Sequence, residues 1–257
     1  MTEHVQVVVD QGVMIVTLNR PDKKNALNNA MYGALADALV RAEAEPSIRA
    51  VLFQAEGDAF TSGNDLSDFA AVAAGTLKRE DMRSGSFLNG LARAQKPIVV
   101  AVQGLAVGIG VTMLLHCDLV FVAEDAKLST PFVNLGLVPE AASSMLLPAR
   151  IGYARAYQMF AFGEPIDGRT AAAIGLATAA VLASELRTTA LAAARKLVTK
   201  PIGALKAMKA LVRDPAIIAA TMAREGEIFS ARLKTPEAAE AFKAFAERRA
   251  PDFTKFS

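Results

Sequence analysis

Two stretches of β-branched and apolar residues open the chain. Val5-Gln6-Val7-Val8-Val9 and Met14-Ile15-Val16-Thr17-Leu18 read as strands, with Asp10-Gln11-Gly12 as the turn of a hairpin. After the polar loop Asn19-Arg20-Pro21-Asp22-Lys23-Lys24-Asn25, Asn28 caps a helix whose apolar positions Met31, Leu35, Ala38 and Leu39 recur at helical spacing. Ala50-Val51-Leu52-Phe53-Gln54 predicts a third strand leading into the loop Gly57-Asp58-Ala59-Phe60-Thr61-Ser62-Gly63-Asn64-Asp65-Leu66. Residues 67–95 read as helix interrupted near Gly75, with Arg79, Glu80, Asp81 and Arg83 on a solvated face.

The central stretch, from Gly104 to Glu140, organises the rest. It follows the buried strand Ile98-Val99-Val100-Ala101-Val102 and begins with Gly104-Leu105-Ala106-Val107-Gly108-Ile109-Gly110. It continues through an uncharged helical run, starting near Gly110 and reaching Asp118. Leu119-Val120-Phe121-Val122 predicts another strand, followed by a polar turn at Glu124-Asp125. From Ala141 onward helices dominate, punctuated at Pro165 and Gly168. A short strand is expected over Ala179-Ala180-Val181-Leu182, then helical periodicity over residues 184–249, broken at Pro201, Pro215 and Pro236. The order predicts an α/β core, residues 1–195, with a helical C-terminal region, residues 196–257.

Composition narrows the function classes. At 257 residues the chain can bury a sizeable core, and 53% hydrophobic residues with 21% charged argue against a disordered chain. A net charge of +2 gives no electrostatic footprint for nucleic acid. One cysteine, Cys117, and two histidines, His4 and His116, leave no internal disulfide and make a metal cluster improbable on composition, so no metal is expected. The N-terminus lacks the basic start and apolar core of a signal peptide, and a cytoplasmic location is expected. The uncharged run from Pro97 to Cys117 has the length of a membrane span, but Gly104 divides it into a strand and a short helix, so no span is expected.

Three places carry candidate chemistry. In the loop around Ser62-Gly63-Asn64-Asp65 the peptide N–H of Asn64 can point into a pocket; the same residues also make an ordinary turn. The loop from Gly104 to Gly110 can aim a second N–H at a ligand, or it can serve only to pack a helix closely on a sheet. It fits neither a dinucleotide-binding glycine pattern, since Met113 stands where the third glycine belongs, nor a Walker loop. Two such loops together suggest a two-donor oxyanion hole. Glu140, after Pro139 at an expected helix start, can serve only the helix dipole. Its apolar neighbours Val133, Leu135, Leu137 and Val138 also suit a desolvated base that takes a carbon-bound proton.

With these residues placed, the chain resembles the crotonase, or enoyl-CoA hydratase/isomerase, superfamily along nearly its whole length. Leu18-Asn19-Arg20-Pro21 with Asn25-Ala26-Leu27-Asn28 is similar to the N-terminal signature, and Phe60 through Leu66 to the first oxyanion loop. Ala101-Val102-Gln103-Gly104 through Cys117-Asp118 is similar to the second loop and its helix. Ala244-Phe245-Ala246-Glu247-Arg248-Arg249 resembles the C-terminal signature. The resemblance implies a crotonase-like spiral of repeated ββα units with a C-terminal helical trimerisation region. It further implies an acyl-CoA thioester substrate, a homotrimer or dimer of trimers, and no cofactor beyond the CoA carried by the substrate.

By position, the thioester oxygen falls between the N–H groups of Asn64 and Ile109. CoA contacts fall to Lys24, Ala26, Leu27, Ser62, Gly63, Asp65 and Leu66, and to Phe245 and Arg248 reaching from a neighbouring subunit. Family hydratases carry two glutamates, at positions occupied here by Thr112 and Phe132. The lone Glu140 before Ser143-Ser144 is similar to the single base of the peroxisomal-type delta-3,delta-2-enoyl-CoA isomerases, and that activity is expected. A hydratase or another enolate-forming enzyme is the alternative within the family; a non-catalytic acyl-CoA-binding scaffold is the alternative of another class.

Overall fold

The computed structural model describes residues 2–65, 67, 68, 78 and 81–256. The expected hairpin forms from β1 (Val5–Asp10) and β2 (Val13–Leu18), and its two connecting residues, Gln11 and Gly12, both take positive φ (48° and 82°). That backbone matches the twist of paired antiparallel strands. Parallel strands then add in order: β3 (Ala50–Ala55), β4 (Ile98–Val102), β6 (Leu119–Ala123) and β9 (Ala179–Val181), giving the sheet order β1-β2-β3-β4-β6-β9. Every residue of β4 is fully buried, the signature of a central parallel strand covered on both faces.

A second small sheet, β5-β7-β8, lies outside the sequence expectation. It is built from β5 (Leu105–Val107), β7 (Lys127–Ser129) and β8 (Ile166–Asp167). Strands of two or three residues are too short to show alternation.

The first helix, α1 (Asn29–Ala44), begins as expected, with the Asn28 side chain accepting from the Met31 N–H. It packs against α2 (Ser84–Arg93). The interruption expected near Gly75 lies outside the described residues. The helical run expected from Gly110 to Asp118 is shorter than it reads: α3 spans Ile109–Thr112 and tightens into a 3-10 turn over Met113–His116. The uncharged stretch from Pro97 to Cys117 is therefore strand, strand and short helix inside the core. Among the described residues no helix is long and apolar enough to cross a membrane.

Later in the chain follow α4 (Ser143–Ile151), α5 (Tyr153–Phe162), α6 (Gly168–Ala173), α7 (Leu186–Val198), α8 (Ile202–Val212), α9 (Pro215–Arg232) and α10 (Pro236–Ala246). Pro201, Pro215 and Pro236 stand at helix starts, where a missing N–H costs nothing. α7 packs on β3, β4 and β6, while α9 returns to pack on α2 and α4. That return brings α9 to one side of a cavity that Asn64 and Glu140 also line.

Candidate active site

Backbone hydrogen bonds zip three sequence-distant segments into one unit. The Phe60 N–H donates to Gln103 O (2.8 Å), Thr61 N–H to Leu105 O (3.0 Å) and Val107 N–H to Thr61 O (3.1 Å), joining the two glycine-bearing loops. On the other side Leu27 N–H donates to Gly63 O (2.8 Å), Asp65 N–H to Leu27 O (2.9 Å) and Ser62 N–H to Lys24 O (2.9 Å). Asn25 fastens the assembly from inside: wholly buried, it donates to Glu56 O and Ala59 O and accepts from the Arg20 N–H. The closeness needs glycine at position 104, whose φ is 56° and where a Cβ would lie 1.7 Å from Asp58 O. Gly108, φ 57°, would meet nothing within 4 Å, so its peptide borders open space just before Ile109.

Beside this unit lies a cavity of about 490 Å³. Leu27, Tyr32, Asn64, Asp65 and Glu140 line one part, and α9 supplies an apolar wall through Ala219, Met222, Ala223 and Phe229. The expected donors are placed unequally. Asn64 lines the cavity, whereas Ile109 is buried (2% exposed) and is not among the residues that line it. Among the described residues, neither the Asn64 nor the Ile109 N–H has a recorded internal acceptor, as expected of groups kept for a ligand.

Glu140 also lines the cavity, with the Thr112 hydroxyl donating to its Oε1 at 2.5 Å. Burial lifts its carboxyl to about 7; the Thr112 hydrogen bond opposes this rise and the charge of Glu225 adds to it. The expected helix start at Glu140 is not observed. α4 begins at Ser143, and between them runs a tight turn in which the Ser143 N–H donates to Glu140 O (3.0 Å). Its central residues, Ala141 and Ala142, both take left-handed backbone, φ 59° and 58°, a conformation that costs a side-chain-bearing residue about 1 to 2 kcal/mol. The purely dipolar role open to Glu140 in the sequence therefore loses its geometry.

Three residues in this neighbourhood escape a sequence reading. Tyr32, on α1, lines the cavity and donates its phenol hydrogen to Asn64 Oδ1. Burial above all, and then the charges of Glu140 and Asp68, hold that phenol protonated well above the ordinary tyrosine range. Its signal was slight: one of three tyrosines, on the buried stripe of α1. Buried Glu225, on α9, accepts from the Ala142 N–H (2.6 Å) and the Ser144 N–H (2.9 Å). His116, wholly buried, is held neutral: burial first, then the Arg213 charge, push its pKa down to about 3. Its Nε2–H donates to Ala141 O (2.8 Å), while its Nδ1 accepts from Arg213 (3.0 Å).

The remaining expected residues divide. Lys24, Ala26, Ser62 and Gly63 belong to the zipped unit beside the cavity. Asp65 lines it, but its carboxylate is engaged by Arg20 (2.6 Å) and Ser67 (2.7 Å); burial raises its pKa, and these hydrogen bonds outweigh that and leave it lowered. Leu66 lies outside the described residues. Phe245 and Arg248 are exposed around the end of α10 and do not line this cavity. Thr112 is wholly buried against Glu140, and Phe132 packs with Leu137 and Ala238 and beside the Phe160 ring.

The family model described as enoyl-CoA hydratase/isomerase matches residues 9–255. A probable enoyl-CoA hydratase from Rhodobacter capsulatus is 34% identical over 252 residues, covering 96% of each chain. Enoyl-CoA delta isomerase 2 from Rattus norvegicus is 32% identical over 252 residues, covering 95% of this chain and 64% of the rat protein. The crystal structure of an enoyl-CoA hydratase/isomerase from Pseudoalteromonas atlantica T6c superposes with a TM-score of 0.92 at 40% identity, covering 98% of this chain and all of the other. The fold and the whole-length match agree with the resemblance read from the motifs: the chain belongs to the enoyl-CoA hydratase/isomerase family of the crotonase superfamily.

Proposed function

We propose that this chain is a delta-3,delta-2-enoyl-CoA isomerase in which Glu140 is the sole acid–base group. The observation that supports this reading most directly is the cavity-facing Glu140 carboxyl, poised at about 7 and oriented through one oxygen by Thr112. A base with that affinity takes a proton near neutral pH and can give it back. Glu140 removes a proton from C2 of a 3-enoyl thioester, and the C3=C4 electrons delocalise into a dienolate. The peptide N–H groups of Asn64 and Ile109 hold the developing oxyanion. The protonated Glu140 then delivers the same proton to C4, leaving the double bond between C2 and C3. The reaction is balanced within the substrate, so no cofactor beyond its CoA is needed.

Thr112 and Phe132 support this choice over hydration. Adding water calls for groups that activate water and deliver a proton, and at these positions the side chains are a hydroxyl already donated to Glu140 and a buried phenyl ring. The CoA moiety is assigned to the zipped segment of Lys24, Ala26, Leu27, Ser62 and Gly63, with Phe245 and Arg248 contributed from a second copy in a trimer or dimer of trimers. The experiment supplies 3-trans-octenoyl-CoA and 2-trans-octenoyl-CoA separately and follows the absorbance of the conjugated thioester. Appearance of the conjugated product from the first, without its loss from the second, is expected; hydration of the second at a matching rate overturns the choice.

A further inference from the structure

α4 starts with a residue that cannot cap it. Ala142 occupies the N-cap position and has no side-chain acceptor to offer; the Ser143 hydroxyl is wholly buried with no hydrogen-bond partner, and the Ser144 side chain bonds to Glu225 rather than to the turn. The turn from Glu140 to Ser143 is thus not held by its own side chains, although two consecutive alanines sit there in left-handed backbone. Such a conformation persists only where the surroundings impose it.

The surroundings do so through two distant groups. Glu225 lies 83 residues further along the chain, on α9, and spends its two carboxylate oxygens on the first free N–H groups of α4: Oε2 on Ala142 and Oε1 on Ser144. A carboxylate at a helix N-terminus is favourable for hydrogen bonding and for the helix dipole. His116, backed by Arg213, grips the peptide between Ala141 and Ala142 from its carbonyl side, at Ala141 O, while Glu225 holds its N–H. The residue proposed as the base, Glu140, immediately precedes these grips. The neighbouring residue on the same helix turn, Glu227, is exposed and makes no such contact among the described residues.

We propose that Glu225 is a positioning residue for Glu140: it caps α4 from a separate helix and fixes the strained turn that aims the Glu140 carboxylate into the cavity. The inference rests on the reading of Glu140 as the base. It makes α9 both the apolar wall of the site and the anchor of its chemistry, so the C-terminal helices are part of the catalytic apparatus.

The groups that can set the protonation of Glu140 are Glu225 on α9, Tyr32 on α1 with Asp68 beyond it, and the His116–Arg213 pair, with the Thr112 hydroxyl on its Oε1. His116 is neutral across the working range, and the Tyr32 phenol stays protonated. Glu225 is therefore the carboxylate whose charge raises Glu140, and removing that charge lowers the Glu140 pKa.

The test compares wild type, Glu225→Gln and Glu227→Gln for removal of deuterium from C2 of 2,2-dideuterio-3-octenoyl-CoA in H2O, an exchange at C2 that reads proton removal whether the label is lost to water or carried to C4. Glu225→Gln keeps the side-chain volume but offers one acceptor where two are needed. Its exchange rate constant at saturation is expected to fall about ten- to a hundredfold with KM nearly constant, as for a slightly misaimed base. The acid limb of its pH profile is expected to move to lower pH, which a merely structural defect does not produce. Glu227→Gln is expected to match the wild type, and binding of octanoyl-CoA to Glu225→Gln confirms a folded site. A Glu225→Gln enzyme with an unchanged rate constant and an unmoved acid limb overturns the proposal while leaving the base reading intact. Absence of exchange in the wild type overturns both.

Discussion

The donor loops and the Glu140 turn both depend on left-handed backbone, yet they obtain it in opposite ways. The loops place glycine where φ is positive, at Gly104 and Gly108, and are closed by hydrogen bonds among segments that carry the family's motifs. The Glu140 turn places alanine there, at Ala141 and Ala142, and is closed by His116 and Glu225, from 25 and 83 residues away. Two strategies for pre-organisation sit side by side. In the loops the conformation is written into the residue type; beside Glu140 it is imposed by tertiary contact. An oxyanion hole needs a fixed pair of dipoles. The base proposed to reach C2 and then C4 is held instead by two side chains from elsewhere in the chain, His116 and Glu225.

Glu140→Gln bears most heavily on this comparison. Turnover of 3-octenoyl-CoA is expected to drop by at least about 10²- to 10⁴-fold, with acyl-CoA binding retained, since the loops remain. Unchanged turnover would leave the strained turn without a purpose. The same variant reports on stability. Folding raises the Glu140 pKa to about 7, so its contribution to stability is full below the ordinary carboxylate pKa and is lost as pH rises through about 7. Glu140→Gln is therefore expected to gain on the wild type between about pH 4 and pH 8 in urea unfolding. A constant difference across that range would show that Glu140 is not desolvated.

Gly104→Ala probes the loop half. Its new methyl carbon would stand 1.7 Å from Asp58 O, backbone that cannot swing aside, and at a φ of 56°. A loss on the order of 3 kcal/mol is expected in urea unfolding, and both donor positions shift with it. A midpoint equal to that of the wild type would mean the loops are not fastened as described. Ala142→Gly, at the smallest scale, sharpens the other half. Relief of left-handed strain, less the entropy of the freer residue, predicts a gain of about 0.5 kcal/mol. A marked loss would show that the alanine methyl packs usefully and that the turn is not strained.

Much of this architecture was open to reading in the residues. The hairpin turn at Gln11-Gly12, the Asn28 cap and the helix starts at Pro201, Pro215 and Pro236 follow from local chemistry that tertiary packing leaves alone. The run from Gly110 to Asp118 read as a longer helix because apolar composition cannot separate an α-helix from one turn passing into a 3-10 turn. The small sheet β5-β7-β8 stayed hidden because its strands are shorter than a period of alternation. Pro139 suggested that Glu140 begins a helix, a sound local rule overridden by Glu225 reaching across to cap α4 at Ala142.

The sequence by itself determined the strands of the main sheet, the helix-rich C-terminal part, the two glycine-bearing loops, the single carboxylate among apolar neighbours, and the family. All are properties of residues close in the chain, or of residue types at fixed spacing. Only the tertiary structure decided that Tyr32 holds the Asn64 side chain, that Thr112 orients Glu140, and that Glu225 rather than Glu227 turns inward. Each of these is a contact between elements distant in sequence, and the helical pattern alone gives Glu225 and Glu227 the same apparent surface role. Desolvation acts in the same way: the rise of Glu140 to about 7 comes from what packs around it, with the charge of Glu225 on α9 adding to it, and that packing exists only in the folded chain.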